Sequence, residues 1–245
     1  MSDNKLLHGD CLKLLDTLPE SSIDMICGDL PYGTTKCSWD TPIDLDQLWP
    51  KLKRVAKDNA AILMFAQTPF DKVLGVSNLP MLRYEWIWEK TSATGFFNAE
   101  KMPMKAHENI LVFYKNLPTY NPIKTTNHLK KSAGRHSQNS ECYGKAVKKT
   151  QYDSTDRFPR SVITFVKDTY TDHPTQKPVQ LLEYLIRTYS NTGETVLDFC
   201  MGSGTTGVAC ELSGREFIGM EKTLKHFKAA KQRINDSSRQ SRMFA

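Results

Sequence analysis

The segment that most restricts the fold is 195–207, Thr-Val-Leu-Asp-Phe-Cys-Met-Gly-Ser-Gly-Thr-Thr-Gly. An apolar, β-rich run ends there in a carboxylate, a glycine-rich turn follows, and a helix opens with two threonines. The same alternation recurs along the chain. Short β-rich runs occupy 23–27 (IDMIC), 60–65 (AAILMF), 84–88 (YEWIW), 110–114 (ILVFY) and 216–219 (EFIG). Between them Leu45, Leu48, Trp49, Leu52 and Val55 recur at helical spacing, as do Leu181, Leu182, Leu185 and Ile186. A last helix starts near Thr223 with Phe227, Ala230 and Ile234 on one face. Strands alternating with helices predict an α/β domain, a mainly parallel sheet with helices on both faces. The 245 residues suffice for one such core with a smaller insert.

Composition narrows the classes. The six cysteines, at 11, 27, 37, 142, 200 and 210, form no C-x-x-C pair and no short Cys/His cluster, so neither a zinc site nor a disulfide framework is expected. The opening MSDNKLLHGD lacks a signal-peptide pattern, and no apolar run approaches the roughly 18 residues needed to span a bilayer. A soluble, cytoplasmic protein with neither membrane nor metal as partner is the expectation.

Charge is unevenly spread. Residues 115–168 hold eleven Lys or Arg against four Asp or Glu, a net +7, whereas the whole chain is only +6. The stretch is polar and weakly periodic. A loop-rich basic insert in an otherwise balanced α/β domain is how a phosphate-gripping element would read, although a solvated surface insertion has the same composition. A second irregular stretch, 91–107, carries two Phe and two Met and reads as an active-site loop.

Gly28-Asp29-Leu30-Pro31-Tyr32-Gly33 follows the strand IDMIC and so falls where open α/β sheets place their sites. Its residue types suit methylation of an amino group. An exocyclic amino nitrogen is a poor nucleophile because its lone pair is delocalised into the ring. An acceptor beside each N–H returns that lone pair. Asp29 supplies one acceptor and the backbone carbonyl of Leu30 the other, while Tyr32 offers a face on which an extruded base can stack. Taken alone, the tetrapeptide reads better as a simple strand-terminating turn, D-x-P-Y.

In the glycine-rich turn, Gly202 and Gly204 allow close backbone approach to a ligand. The turn is neither a G-x-G-x-x-G fingerprint nor a P-loop. Glu221 ends the next strand 23 residues after Asp198, where a βαβ unit brings an acid to a ribose diol. A ribose-bearing ligand without a phosphate fits, and S-adenosylmethionine is such a ligand. The third segment, His173-Pro174-Thr175-Gln176-Lys177-Pro178, opens a helix. Lys177 opposes the helix dipole there, which calls for an acidic partner from protein or ligand.

Together these segments resemble the β-class amino-methyltransferases, the DNA N6-adenine and N4-cytosine enzymes, in which the catalytic block precedes the cofactor block. The order DLPY at 29–32, HPTQKP at 173–178 and DFCMGSGTTG at 198–207 is that order. The segments EWIWEK at 85–90 and HENILVF at 107–113 are similar to those flanking the base pocket. The resemblance implies a Rossmann-like S-adenosylmethionine-dependent methyltransferase fold. It implies a catalytic half at 1–114, a target-recognition insert at 115–170, a cofactor-binding half at 171–236 and a flexible tail at 237–245. The implied catalytic residues are Asp29, Leu30, Pro31 and Tyr32. The implied cofactor residues are Asp10, Cys11, His173, Thr175, Lys177, Asp198, Phe199, Gly202, Gly204, Thr205, Thr206 and Glu221. Duplex DNA is the implied partner, gripped by Lys124, Lys130, Lys131, Arg135, Lys145, Lys148 and Lys149, and a homodimer is the assembly common in the family. The usual tetrapeptide is D-P-P-Y, or S-P-P-Y in many cytosine enzymes. Leu30 replaces the first proline, which restores an N–H and loosens φ. Asp29 favours adenine over cytosine, although both amino groups need the same two acceptors. An RNA or protein substrate, and a catalytically weak DNA-binding module that keeps the fold, are the competing readings.

Overall fold

The computed structural model describes residues 4–33, 40–135, 150–168 and 176–243. In chain order the elements are β1 (Lys5–His8), α1 (Cys11–Leu15), β2 (Ile23–Asp29), α2 (Leu45–Val55), β3 (Ala56–Ala66), α3 (Phe70–Ser77), β4 (Leu82–Thr94) and β5 (Lys105–Phe113). There follow β6 (Lys131–Arg135), β7 (Thr150–Ser154), β8 (Val162–Phe165), α4 (Val179–Tyr189), β9 (Thr195–Asp198), α5 (Thr205–Ser213), β10 (Glu216–Glu221) and α6 (Leu224–Met243). Eight strands form one sheet in the order β1-β10-β9-β2-β3-β5-β4-β8. Only β5 runs antiparallel to its neighbours, so five of the seven pairings are parallel. This is the mainly parallel α/β sheet expected from the strand–helix alternation, in the Rossmann-like form that the resemblance implies.

Period-two patterning assigns the sheet's two faces. Met25 and Cys27, Leu63 and Phe65, and Ile110 and Val112 pack on one face under α4, α5 and the Ala230 and Ile234 positions of α6. Ile26, Ile62 and Met64, and Leu111 and Phe113 face the other way, under Leu48, Trp49, Leu52 and Val55 of α2 and Phe70 and Leu74 of α3. The i, i+1, i+4, i+7 stripe of α2 meets the sheet because Asp44 starts that helix squarely, its carboxylate accepting from the backbone N–H groups of Asp46 and Gln47. The chain leaves β2 for α2 on one face and leaves β9 for α5 on the other. Since β2 and β9 are adjacent and parallel, their carboxyl ends form a topological switch point, where such sheets bind ligands.

Several element bounds differ from the sequence reading. The strand read as 23–27 continues to Asp29. The stretch 91–107, read as a loop, is strand at both ends, in β4 to Thr94 and in β5 from Lys105. Residues 237–243, read as the start of a flexible tail, continue α6. Within the basic insert, residues 122–160 form a compact unit of their own, and the chain on either side of it groups with the sheet-bearing unit. β8, for instance, pairs with β4 through Ile87↔Val162 to Lys90↔Phe165. The smaller unit is built on the antiparallel pair β6–β7, an isolated bridge Thr125↔Arg157 and the Lys124 ammonium 4.7 Å over the Phe158 ring. No helix of the described residues is long and apolar enough to cross a membrane.

Candidate active site

Four parallel strands, β2, β9, β10 and β1, end side by side in Asp29, Asp198, Glu221 and His8. The chain after β1 turns at Gly9, whose N–H donates to the Glu221 carbonyl at 3.0 Å, and this brings Asp10 to the same edge. A cavity of about 890 Å³ opens over these ends, lined among others by Asp10, Asp29, Lys177, Asp198, Gly202 and Glu221. Segments 170 residues apart in sequence therefore share one site because the strands that carry them are neighbours.

On one side of the cavity the glycine turn is braced from within. Asp198 is 4% exposed; its two oxygens accept from the Cys200 N–H at 3.0 Å and the Thr206 hydroxyl at 2.6 Å. Burial pushes its carboxyl up to about 7; the two donors work against that shift, and the nearby Asp29 and Glu221 charges add to it. Glu221 accepts from the Gly202 N–H at 3.1 Å and the Thr223 N–H at 2.6 Å, which ties the turn to the end of β10. Gly202 has φ +51° and nothing within 4 Å of where a Cβ would lie, so the space beside its Cα is open. Gly204 has φ +77°, and a Cβ there would sit 2.9 Å from Ala230 Cβ; the glycine lets α5 start against α6. Thr205 is buried and accepts from Arg233 at 2.9 Å. The Phe199 ring is buried against Gly28, where an added Cβ would come within 2.8 Å of it. Asp10 caps α1 through the Leu12 N–H at 3.0 Å, with Lys222 3.3 Å from its other oxygen. Burial pushes the neighbouring Cys11 thiol up to about 11 and raises Cys27, Cys200 and Cys210 well above the usual thiol value. These four thiols stay protonated, which suits a reaction without a cysteine nucleophile.

On the other side lies a chain of alternating charges. Lys177 Nζ stands 2.6 Å from Asp29 Oδ2 and 3.5 Å from Glu108 Oε1, and Lys90 Nζ is 3.3 Å from Glu108 Oε2. The second Asp29 oxygen accepts from the Tyr32 hydroxyl at 2.8 Å. Burial alone would neutralise Lys177, but Asp29 and Glu108 outweigh it and raise its pKa. Burial likewise works to raise Glu108, and the ammonium groups of Lys177 and Lys90 overcome it and hold its carboxyl below the usual range. The Lys177 ammonium also lies 5.1 Å from the centre of the Phe65 ring. Tyr32 stacks one ring face on Phe70, with centroids 5.2 Å apart. Leu30 is 3% exposed, and the Gly33 N–H donates to Asp40 at 2.8 Å, which closes the turn.

Comparison with known proteins decides the family. The family described as DNA methylase (N6_N4_Mtase) matches residues 23–232. The chain belongs to it. This methylase is 29% identical over 256 residues to the DNA adenine methyltransferase YhdJ of Escherichia coli (strain K12), covering 96% of the chain and 84% of that protein. It is 27% identical over 266 residues to the Type II methyltransferase M.HinfI of Haemophilus influenzae, covering 95% of the chain and 68% of that protein. Its fold matches the crystal structure of the M1.HpyAVI-SAM complex with a TM-score of 0.65 at 22% identity, covering 94% and 98% of the two chains. It also matches the cytosine-N4-specific PvuII DNA methyltransferase with a TM-score of 0.68 at 15% identity, covering 98% and 93%.

In the methylase all the described residues expected at the catalytic and cofactor positions belong to the sheet-bearing unit, and most of them line the one cavity. Gly204 stands behind its wall as the hinge into α5. His173 and Thr175 lie outside the described residues, as do Lys145, Lys148 and Lys149. Lys124, Lys130 and Lys131 are exposed on the smaller unit, Lys130 within 3.3 Å of Asp153, and Arg135 closes β6. The acidic partners that Lys177 calls for come from the protein. Sequence reasoning gave Glu108 and Lys90 no role, although both stand in the segments noted at 85–90 and 107–113. The available signal was a lysine just after the run 84–88 and a glutamate just before the run 110–114, charges that are rarely buried unless paired. Among the described residues no His, Cys, Asp or Glu group could hold a metal ion.

Proposed function

We propose that this DNA methylase transfers a methyl group from S-adenosylmethionine to the exocyclic N6 amino group of adenine in duplex DNA, acting on a base flipped out of the helix. The observation that carries the reading is that Asp29, with the Leu30 carbonyl next to it in the chain, opens on the same cavity as the glycine turn. The cofactor half fits a ribose-bearing cation. It presents Asp10 at the start of α1 and Glu221 at the end of β10, each oxygen of Glu221 keeping a lone pair beyond the backbone N–H it holds, and the space beside the Gly202 Cα is open. The holding residues are Asp10, Cys11, His173, Thr175, Lys177, Asp198, Phe199, Gly202, Gly204, Thr205, Thr206 and Glu221, of which Asp198, Thr205 and Thr206 act by fixing the turn. S-adenosylmethionine supplies the electrophilic methyl group.

The protein's part is to make a weak nucleophile reactive. Asp29 and the Leu30 carbonyl accept the two amino N–H groups and draw the lone pair back onto nitrogen. Pro31 fixes the turn, and the ring face of Tyr32 turned away from Phe70 receives the base. These acceptors lie in a cleft where hydrogen bonds are worth more than in water. Lys124, Lys130, Lys131 and Arg135, with Lys145, Lys148 and Lys149, contact phosphates.

Adenine is favoured by the acid at position 29 and by the name of the E. coli relative. The test is incubation with tritiated S-adenosylmethionine and unmethylated duplex DNA, with RNA in a parallel reaction, followed by nucleoside analysis. N6-methyladenine in DNA is expected, and Asp29→Ala should lower turnover by about 10²–10³-fold, as loss of one transition-state hydrogen-bonding group does, while cofactor binding persists. N4-methylcytosine as the sole product would replace the adenine assignment, and label in RNA alone would remove the DNA substrate.

A further inference from the structure

Asp29 as it stands is engaged on both oxygens. Lys177 Nζ holds Oδ2 at 2.6 Å and the Tyr32 hydroxyl holds Oδ1 at 2.8 Å. A charge-assisted bond is roughly twice as strong as a neutral one, so an incoming amino group competes poorly for Oδ2 while the ammonium stays. Moving that ammonium away is costly unless another anion receives it, because a buried cation stripped of its partner loses several kcal/mol. The structure supplies the other anion. Glu108 Oε1 is 3.5 Å from the same Nζ, beyond a good hydrogen bond but within reach of a shift of under about 1 Å.

Resting on the reading of Asp29 as the acceptor for the amino group, we propose that Glu108 is a positioning residue that receives the Lys177 ammonium when the target base takes its place on Asp29. Three features suit Glu108 to this. Its side chain is 7% exposed, so water does not offer Lys177 an alternative partner there. Its far oxygen is held by Lys90 at 3.3 Å, which fixes the near oxygen towards Lys177. The Phe65 ring beneath Nζ accepts a cation wherever it sits along the short path. The row Asp29–Lys177–Glu108–Lys90 alternates in sign and sums to zero, so the shift moves a cation between two anions without leaving a net buried charge. A plain Asp29–Lys177 pair would hold the carboxylate closed. With Glu108 present, the same lysine pairs with Asp29 and then yields it.

The test measures methylation of unmethylated bacterial genomic DNA under saturating tritiated S-adenosylmethionine, with thermal denaturation and cofactor titration of each variant as controls. Glu108→Gln keeps the size and one acceptor but removes the charge that draws Lys177 away. It should lower kcat about 10- to 100-fold, with the KM for DNA and the cofactor Kd within about twofold. Glu108→Asp should fall between wild type and Gln. Wild-type kcat in Glu108→Gln overturns the proposal, while an inactive Asp29→Ala leaves the methylase reading intact. An Asp29→Ala variant with normal turnover removes both. If Glu108→Gln fails to fold, Glu108→Asp decides: a several-fold drop in kcat at unchanged KM supports the shift, and unchanged kcat overturns it.

Discussion

Replacing Asp198 with asparagine isolates what a buried carboxylate does to the turn it braces. The Asp198 carboxyl sits near 7 in the folded protein, from an ordinary value of 3.8, chiefly because it is buried. A folded-state value above the unfolded one means that the native state binds the proton more tightly. Stability from this group is therefore fully present below about pH 4 and declines as pH rises towards 7. The full interval corresponds to about 4 kcal/mol at 1.36 kcal/mol per pH unit. With those two values the group has lost roughly 2 kcal/mol by pH 5 and roughly 4 kcal/mol by pH 8, so the step between them carries about 2–3 kcal/mol.

Asparagine removes the titration and keeps the geometry. Its Oδ1 still accepts from the Cys200 N–H, and its Nδ2 donates to the Thr206 hydroxyl oxygen where Asp198 Oδ2 accepted from it. Urea unfolding of wild type and Asp198→Asn at pH 5 and pH 8, without cofactor, should show the variant gaining about 2–3 kcal/mol relative to wild type between the two pH values. The subtraction cancels every other titrating group that the two proteins share. Parallel pH–stability curves, agreeing within about 0.5 kcal/mol, would mean that Asp198 is already ionised without penalty and that burial does not govern it.

Two further outcomes follow from the geometry. Gly204→Ala combines a left-handed φ with a Cβ 2.9 Å from Ala230 Cβ, so it should destabilise by about 3 kcal/mol and lower Tm by roughly 6–12 °C. Gly202→Ala has the φ but open space, and its loss should be about 1 kcal/mol, so equal losses at the two positions would refute the packing argument. Lys131→Ala and Lys124→Ala should each weaken binding of a labelled duplex uniformly across sequences and flatten the log–log salt dependence by about 0.9, measured by anisotropy between 50 and 200 mM salt. An unchanged slope removes that lysine from the phosphate contacts.

Much of the sheet was legible because its strands carry the pattern internally. The runs at 60–65 and 110–114 are apolar on both faces, as a covered central strand must be, and both are buried, the second as far as Phe113. β1 and β8 escaped notice for the opposite reason. Each has four residues at a sheet edge with only partly buried side chains, so the sequence KLLH or VITF carries little periodicity. The hairpin β6–β7 is composed of polar residues such as Lys131, Ser132 and Asp153, whose pairing comes from backbone contacts that leave no hydrophobic trace. In the site, Asp29, Asp198 and Glu221 were legible because a carboxylate at a parallel strand's end is conspicuous. The network joining Asp29 to Glu108 was not, since it depends on β5 running antiparallel between β3 and β4, a pairing that no local pattern encodes.

The leucine at position 30 shows how a departure from the family tetrapeptide can be absorbed. Proline there would hold the turn through its fixed φ; leucine gives that up and restores an N–H. Leu30 is instead 3% exposed and packs in the cluster that holds Leu48, Trp49 and Phe70. Burying a leucine contributes about 1.5–3 kcal/mol, more than the 0.4–1 kcal/mol typically gained by placing a proline at a compatible site. The restraint has moved from the backbone to the side chain, and the carbonyl that follows in the chain stays beside Asp29. Tyr32 completes the same logic, since its hydroxyl is tied to Asp29 and its ring rests on Phe70, a residue of the same cluster. The turn at 29–32 is thus held by core packing through Leu30 and Tyr32 and, at Asp29, by the ion network that runs through Lys177.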